Sequence, residues 1–224
     1  MTDPRMNKRA IREKIEGVGI VPAMSATSMD DLLLAAEAVC RGGIPIMEVR
    51  VRNSSSASFL SALKEQIPEM IVGAGGITDF EVAQRCLDSG ISFLSTDGFD
   101  PEITGFALEQ DVVVIPGTLT PSEVNSAWHL RPDFVKVVPC APVGGEAYLR
   151  ALKAMFPGVP LIAAGGVSQN SAIGFILAGA AALGVGDHLI PREALRARQA
   201  DRIAELAHRF VGFVTAARKE ISGR

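Results

Sequence analysis

The chain has 224 residues, 48% of them hydrophobic, 21% charged and only 5% aromatic, which suits one sizeable domain with an aliphatic core. A formal net charge of −3 excludes the broad basic field that attracts nucleic acid or an acidic membrane, so a small-molecule ligand is expected and neither of those partners. Cys40, Cys86 and Cys140 are odd in number and lack any CxxC spacing, which excludes a disulfide framework or a zinc site and points to a reducing compartment.

The first residues, Met1 to Glu16, are polar and charged without an apolar signal core, and a cytoplasmic protein is expected. Within them Pro4 to Glu16 reads as a short amphipathic helix, with Ile11 and Ile15 one turn apart, that covers one end of the domain. Gly19 to Met24 reads as the first strand. Ser28 then caps a helix to Arg41, with Leu32, Leu33, Ala36 and Val39 facing the sheet and Gly42-Gly43 closing it.

The pattern repeats with a spacing typical of one βα unit. The following strands are expected at Ile44 to Val51, Met70 to Gly76, Ile91 to Thr96, Val112 to Gly117, around Lys136, at Pro160 to Ala164 and at Ala181 to Val185. Their helices are expected at Ser54 to Gln66, Asp79 to Ser89, Pro101 to Gln110, Pro121 to His129, Gly145 to Phe156 and Ser168 to Ala178, and Pro191 to Ser222 forms a last helical region. Eight strand-then-helix units without a linker imply a single-domain α/β fold, a (β/α)8 TIM barrel with an N-terminal helix, whose site lies where strands end and βα loops begin.

Lys136 is the anomaly in this pattern. It sits among Val135, Val137 and Val138 in a run bounded by Pro132 and Pro139, which reads as a buried parallel strand. Burial disfavours an ammonium, and a lysine freed of its proton attacks carbonyls to form a Schiff base. The alternative is a lysine guarding an exposed strand edge. In the second strand, alternation puts Met47, Val49 and Val51 on the helix-facing side and Glu48, Arg50 and Arg52 towards the barrel axis or mouth. Glu48 then supplies the acid/base that imine chemistry needs, or it merely pairs with Arg50 or Arg52.

Gly165-Gly166 before Ser168 offers backbone N–H groups to an anion at a helix start, although glycines also end strands where the chain must turn. Gly184-Val185-Gly186 follows the last strand, where barrels of this kind often bind phosphate, but Asp187 comes directly after it. The histidines at 129, 188 and 208 have no metal-site spacing. Only His188 lies near the expected mouth.

These residues together resemble the bacterial aldolases that cleave 2-keto-3-deoxy-6-phosphogluconate (KDPG) and 4-hydroxy-2-oxoglutarate (KHG), from Gly17 onward. The resemblance rests on the run Gly42 to Val49, on Val72-Gly73-Ala74-Gly75, Ile115-Pro116-Gly117, Phe134-Val135-Lys136 with Pro139, Gly165-Gly166-Val167-Ser168, and the run Ala181 to Gly186. It implies a homotrimeric, metal-independent class I aldolase without a cofactor. In it Lys136 forms an imine with pyruvate, Glu48 shuttles protons and Arg52 steadies a carboxylate or hydroxyl. The ligand shell implied alongside them comprises Arg50, Gly75, Gly76, Asp97, Pro116, Gly165, Gly166, Gly186 and Asp187.

Several of these positions depart from the family pattern together. Gly76 stands where a threonine is usual, Thr96-Asp97-Gly98 replaces Ser-Pro-Gly, and Ala164-Gly165-Gly166 replaces Thr-Gly-Gly. Ser25 stands for an arginine, Arg50 for a threonine, and Asp187 for a serine or glycine beside the phosphate. The expectation is a Schiff-base lyase for a small 2-oxo acid, with Arg50 paired to Asp97 or Asp187 and with Asp187 repelling a phosphate unless it is neutralised or turned away. The alternatives are a non-catalytic binder, in which Lys136 is a buried counter-ion for Glu48 or Asp97, and another imine-forming enzyme such as a decarboxylase.

Overall fold

The computed structural model describes residues 6–25, 27–51 and 57–223. Its elements in chain order are α1 (Lys8–Val18), β1 (Ile20–Met24), α2 (Met29–Arg41), β2 (Ile46–Arg50), α3 (Ser58–Gln66), β3 (Ile71–Ile77), α4 (Phe80–Asp88), β4 (Phe93–Thr96) and α5 (Pro101–Leu108). There follow β5 (Val113–Ile115), β6 (Gly117–Thr118), α6 (Pro121–His129), β7 (Val135–Val137), α7 (Gly145–Met155), β8 (Leu161–Ala164), α8 (Gln169–Leu177), β9 (Ala182–Val185), α9 (Arg192–Arg196) and α10 (Ala200–Ser222).

The strands form one parallel sheet in the order β5-β4-β3-β2-β1-β9-β8-β7-β6. Its two end strands are consecutive pieces of a single run, so the sheet curls round on itself as a (β/α)8 barrel. The run expected as one strand from Val112 to Gly117 is split at Pro116, which has no N–H to give to a ladder. Its carbonyl still works, accepting the Lys136 N–H at 2.9 Å.

The helix starts follow the local chemistry of their caps. Asn7, Ser28, Asp79, Asp100 and Thr120 each accept a backbone N–H of the turn they open, and Thr120 with Glu123 completes a capping box. Helix α1 closes the N-terminal end of the barrel. Ile11 and Ile15 are buried there, while Lys8 meets Asp133 at 3.1 Å and Arg12 lies over the Phe134 ring. The expected C-terminal helical region is two helices, interrupted where Arg198 takes a positive φ of 54°. Gly42 lets α10 approach closely, since a Cβ there would stand 2.4 Å from that of Ala207. Among the described residues no helix is long and apolar enough to cross a membrane.

Inside the barrel, Phe93 fills the space that Gly73 leaves open. A Cβ on Gly73 would lie 2.3 Å from the Phe93 ring, and that ring is fully buried. Gly73→Ala should therefore destabilise the fold by about 1–3 kcal/mol through overpacking, outweighing the roughly 0.4–1 kcal/mol that a stiffer unfolded chain returns. Urea unfolding of the two proteins measures the difference.

Candidate active site

At the C-terminal ends of the strands a cavity of about 770 Å³ opens, and Glu48, Arg50, Asp97 and Lys136 line it. The parity expected for β2 is the one observed: Glu48 and Arg50 reach the cavity while Met47 and Val49 are buried outside it. Lys136 is in register with Gly117 on one side and Ile162 on the other. It occupies a paired interior strand, which removes the edge-lysine alternative, and only 4% of its surface is exposed.

Two side chains from the C-terminal end of β4 receive the ammonium. Lys136 Nζ donates to Ser95 Oγ at 2.8 Å and to Asp97 Oδ1 at 3.1 Å. Asp97 is in turn gripped in two-pronged fashion by Arg50, whose Nη1 reaches Oδ1 at 3.3 Å and whose Nη2 bonds to Oδ2. Arg50 therefore pairs with Asp97 rather than Asp187. Burial pushes the Asp97 carboxyl upward, but hydrogen bonds and charge from Arg50 and Lys136 outweigh it and hold the group below the usual carboxylate range. The bond from Asp97 conversely raises the Arg50 guanidinium against the effect of burial.

Glycines and one threonine make this arrangement possible. Thr96 Oγ1 donates to Gly98 O at 2.7 Å and accepts the Gly117 N–H at 2.9 Å, which fixes the turn carrying Asp97. A Cβ on Gly117 would stand 2.5 Å from the Asp97 carbonyl carbon, so only glycine allows the two strands this close.

Eight of the expected site residues border the cavity: Glu48, Arg50, Asp97, Lys136, Gly165, Gly166, Gly186 and Asp187. Gly75, Gly76 and Pro116 do not. Gly75 makes room for Glu48, whose Oε1 would be 2.1 Å from an added Cβ, and Gly76, at φ +69°, lies against the Arg50 guanidinium. Pro116 is buried and contributes its carbonyl to β7. Arg52 lies outside the described residues. Gly165 and Gly166 both take positive φ, and an added Cβ at either would meet Pro139 or Ala141 at 2.7 Å. The sharp turn and close approach thus account for these glycines, whatever they also bind.

Asp187 differs from the expectation in its surroundings. Its side chain is 75% exposed and faces Arg192 Nε at 3.6 Å, so water and a guanidinium oppose the repulsion expected of it. Arg192 and Arg196 of α9 join His188 on the rim, whereas His129 and His208 are in helices α6 and α10. Ser95 and the two rim arginines were absent from the sequence reading. Ser95 carried a usable signal, since it lies two residues before Asp97 and so on the same face of the strand.

The model of the family described as KDPG and KHG aldolase matches residues 11–206. The chain belongs to this family. The 2-dehydro-3-deoxy-phosphogluconate aldolase of Treponema pallidum (strain Nichols) is 26% identical over 204 residues, covering 91% of this chain and 97% of the relative. The KHG/KDPG aldolase of Escherichia coli (strain K12) is 27% identical over 192 residues, covering 86% and 90%. Among solved structures, the KDPG aldolase of Legionella pneumophila, in which pyruvate was captured at low pH as a covalent carbinolamine, superposes with a TM-score of 0.81 at 25% identity, covering 92% of this chain and 97% of that one. The family consists of carbon–carbon lyases, and this chain is an enzyme of that class.

Asp97 gives the site a pH signature. Its lowered carboxyl pKa means that its contribution to stability is present above the ordinary carboxylate range and is lost as pH falls through the lowered value. Asp97→Asn leaves Lys136 and Arg50 without their shared anion and should cost about 1–3 kcal/mol at neutral pH. The gap to the parent should close under strongly acidic conditions, as read by denaturant unfolding across pH.

Proposed function

We propose that the protein is a class I lyase that forms a Schiff base between Lys136 and a small 2-oxo acid, and that it cleaves or makes a carbon–carbon bond of a 2-keto-3-deoxy or 4-hydroxy-2-oxo acid. The observation that carries the reading is the placement of Lys136: an amine 4% exposed, directed into a polar cavity, with carboxylates from β2 and the β4 turn at the same mouth. The covalent carbinolamine of the Legionella relative supports pyruvate as the keto half. The homotrimer implied by the family resemblance goes with this reading.

In the cleavage direction the Lys136 amine adds to the 2-oxo carbon, and loss of water leaves an iminium. Glu48 removes the proton of the 4-hydroxyl, the bond between carbons 3 and 4 breaks, and its electron pair flows into the iminium as an aldehyde departs. Protonation of the resulting enamine at carbon 3 and hydrolysis return pyruvate and the free lysine. Gly75 supports Glu48 in this role, because a side chain there would displace the carboxylate.

One observation favours a second reading. The contact of Lys136 with Asp97 is also what a non-catalytic binder would show if the lysine had become a counter-ion. Incubation with pyruvate and a hydride reductant separates the two readings. The lyase gains a reduced pyruvyl adduct that peptide mass mapping places on Lys136, and Lys136→Met loses both the adduct and aldol cleavage. A parent protein that never becomes labelled is a binder.

The role of Glu48 has its own measurement. Glu48→Gln keeps the shape of the side chain and should slow exchange of the pyruvate methyl protons with solvent by about 10²-fold, the usual contribution of a positioned acid/base. Proton NMR in deuterated buffer follows the exchange. An unchanged rate would assign Glu48 to structure.

A further inference from the structure

We infer that Asp97 is the base that takes the proton from the Lys136 ammonium, and that Arg50 restrains it until the carboxylate of the incoming 2-oxo acid draws Arg50 away. The inference rests on the Schiff-base reading above and adds a residue and a trigger to it.

The geometry is specific. Asp97 Oδ1 lies 3.1 Å from Lys136 Nζ and 3.3 Å from Arg50 Nη1, so one oxygen is shared by the nucleophile and the guanidinium. Among the described residues, the charged side chains in contact with Asp97 are Arg50 from β2 and Lys136 from β7, while Glu48 lines the same cavity and acts on Arg50. Of the two carboxylates, Asp97 is the one placed on the amine by a direct hydrogen bond, which leaves Glu48 for the substrate carbon and its hydroxyl.

A 2-oxo acid bonded to Lys136 through carbon 2 carries its carboxylate one bond further on. With Asp97 Oδ1 3.1 Å from Nζ and Arg50 on the same oxygen, that group comes within reach of both side chains. Two carboxylates at that range repel, and one guanidinium cannot grip both through the same pair of N–H groups. Arg50 is free to turn because Gly76 carries no side chain beside it, and an added Cβ would stand 3.2 Å from Nη2. A carboxylate with no rotamers to lose and a full negative charge competes directly for that fork. Once Arg50 has moved, Asp97 loses the hydrogen bonds that held it acidic and becomes a stronger base towards its remaining neighbour.

The steps balance. Asp97 accepts a proton from the ammonium, and the free amine adds to the carbonyl carbon. The nitrogen proton passes to the oxygen, and the carbinolamine hydroxyl leaves as water after Asp97 returns its proton. The iminium keeps one N–H, two hydrogens leave with the oxygen, and Asp97 ends as it began. Arg50 is then the specificity element for the acid half of the substrate, a role beyond pairing with an aspartate.

The test is the rate of reductive trapping of pyruvate on Lys136, followed by mass spectrometry across pH, in the parent and in Asp97→Asn, Asp97→Glu and Arg50→Met. Asp97→Asn should slow trapping by about 10²-fold near neutral pH, with partial recovery in Asp97→Glu. Arg50→Met should raise the half-saturating pyruvate concentration about tenfold or more, and at pyruvate well below half-saturation it should shift the acidic limb of the rate profile to higher pH, because Asp97 of the free protein loses the group that keeps its pKa low. Trapping in Asp97→Asn at the parental rate or faster overturns the inference. So does an Arg50→Met protein with unchanged half-saturation and an unchanged acidic limb, a variant that remains informative if Asp97→Asn folds poorly. A parent that traps no pyruvate on Lys136 overturns the Schiff-base reading itself, and that result is distinct from an adduct that forms without regard to Asp97.

Discussion

Lys136 hands its ammonium to the Ser95 hydroxyl and the Asp97 carboxylate at the mouth of a closed parallel barrel, and the neighbouring sequence is arranged around that contact. An ammonium taken out of water pays several kcal/mol unless charge and hydrogen bonds replace its hydration. The replacement has to come from another strand, because β7 itself offers only Val135 and Val137 beside the lysine. The β4 turn supplies it. Gly117 is glycine so that this turn can approach, and Thr96 ties the turn to the same place from both sides.

Arg50 extends the contact into a network. Asp97 stands between a lysine and an arginine, and Glu48, the second carboxylate of the cavity, balances the remaining positive charge. An anionic ligand of the size of a small oxo acid then finds its partner in the Arg50 guanidinium rather than in a net positive field. Towards the rim, the guanidiniums of Arg192 and Arg196 stand beside Asp187 and leave the outer part of the cavity mixed in sign. The carboxylate of Asp187 therefore acts in a solvated, partly compensated setting, where salt and water weaken its effect.

Much of this was legible in the sequence because it depends on periodicity. The period of two in Ile46–Arg50 assigns Glu48 and Arg50 to the interior, and the recurrence of strand and helix assigns the barrel. The caps at Ser28, Asp79 and Thr120 are local chemistry and fall where the residues place them. What escaped the reading depends on tertiary distance. Gly75 and Gly76 look like ligand-binding backbone in sequence, yet they are spaces for Glu48 and Arg50, and that becomes visible only when β2 and β3 are in register. Arg192 lies five residues beyond Asp187, across a turn into α9 whose direction no periodicity encodes. Pro116 offers no N–H to a ladder, but that alone does not dictate a split, since Pro22 sits inside β1 in register with Val185 without breaking the strand.

The decisive event is what happens to Lys136, Asp97 and Arg50 when a 2-oxo acid enters. The most direct measurement is a crystal structure of the protein soaked with pyruvate. Continuous density from Lys136 Nζ to carbon 2 of pyruvate, with Arg50 turned from Asp97 onto the pyruvate carboxylate, is the predicted result. Pyruvate lying unbonded in the cavity, with the Lys136 to Asp97 to Arg50 chain intact, would contradict it.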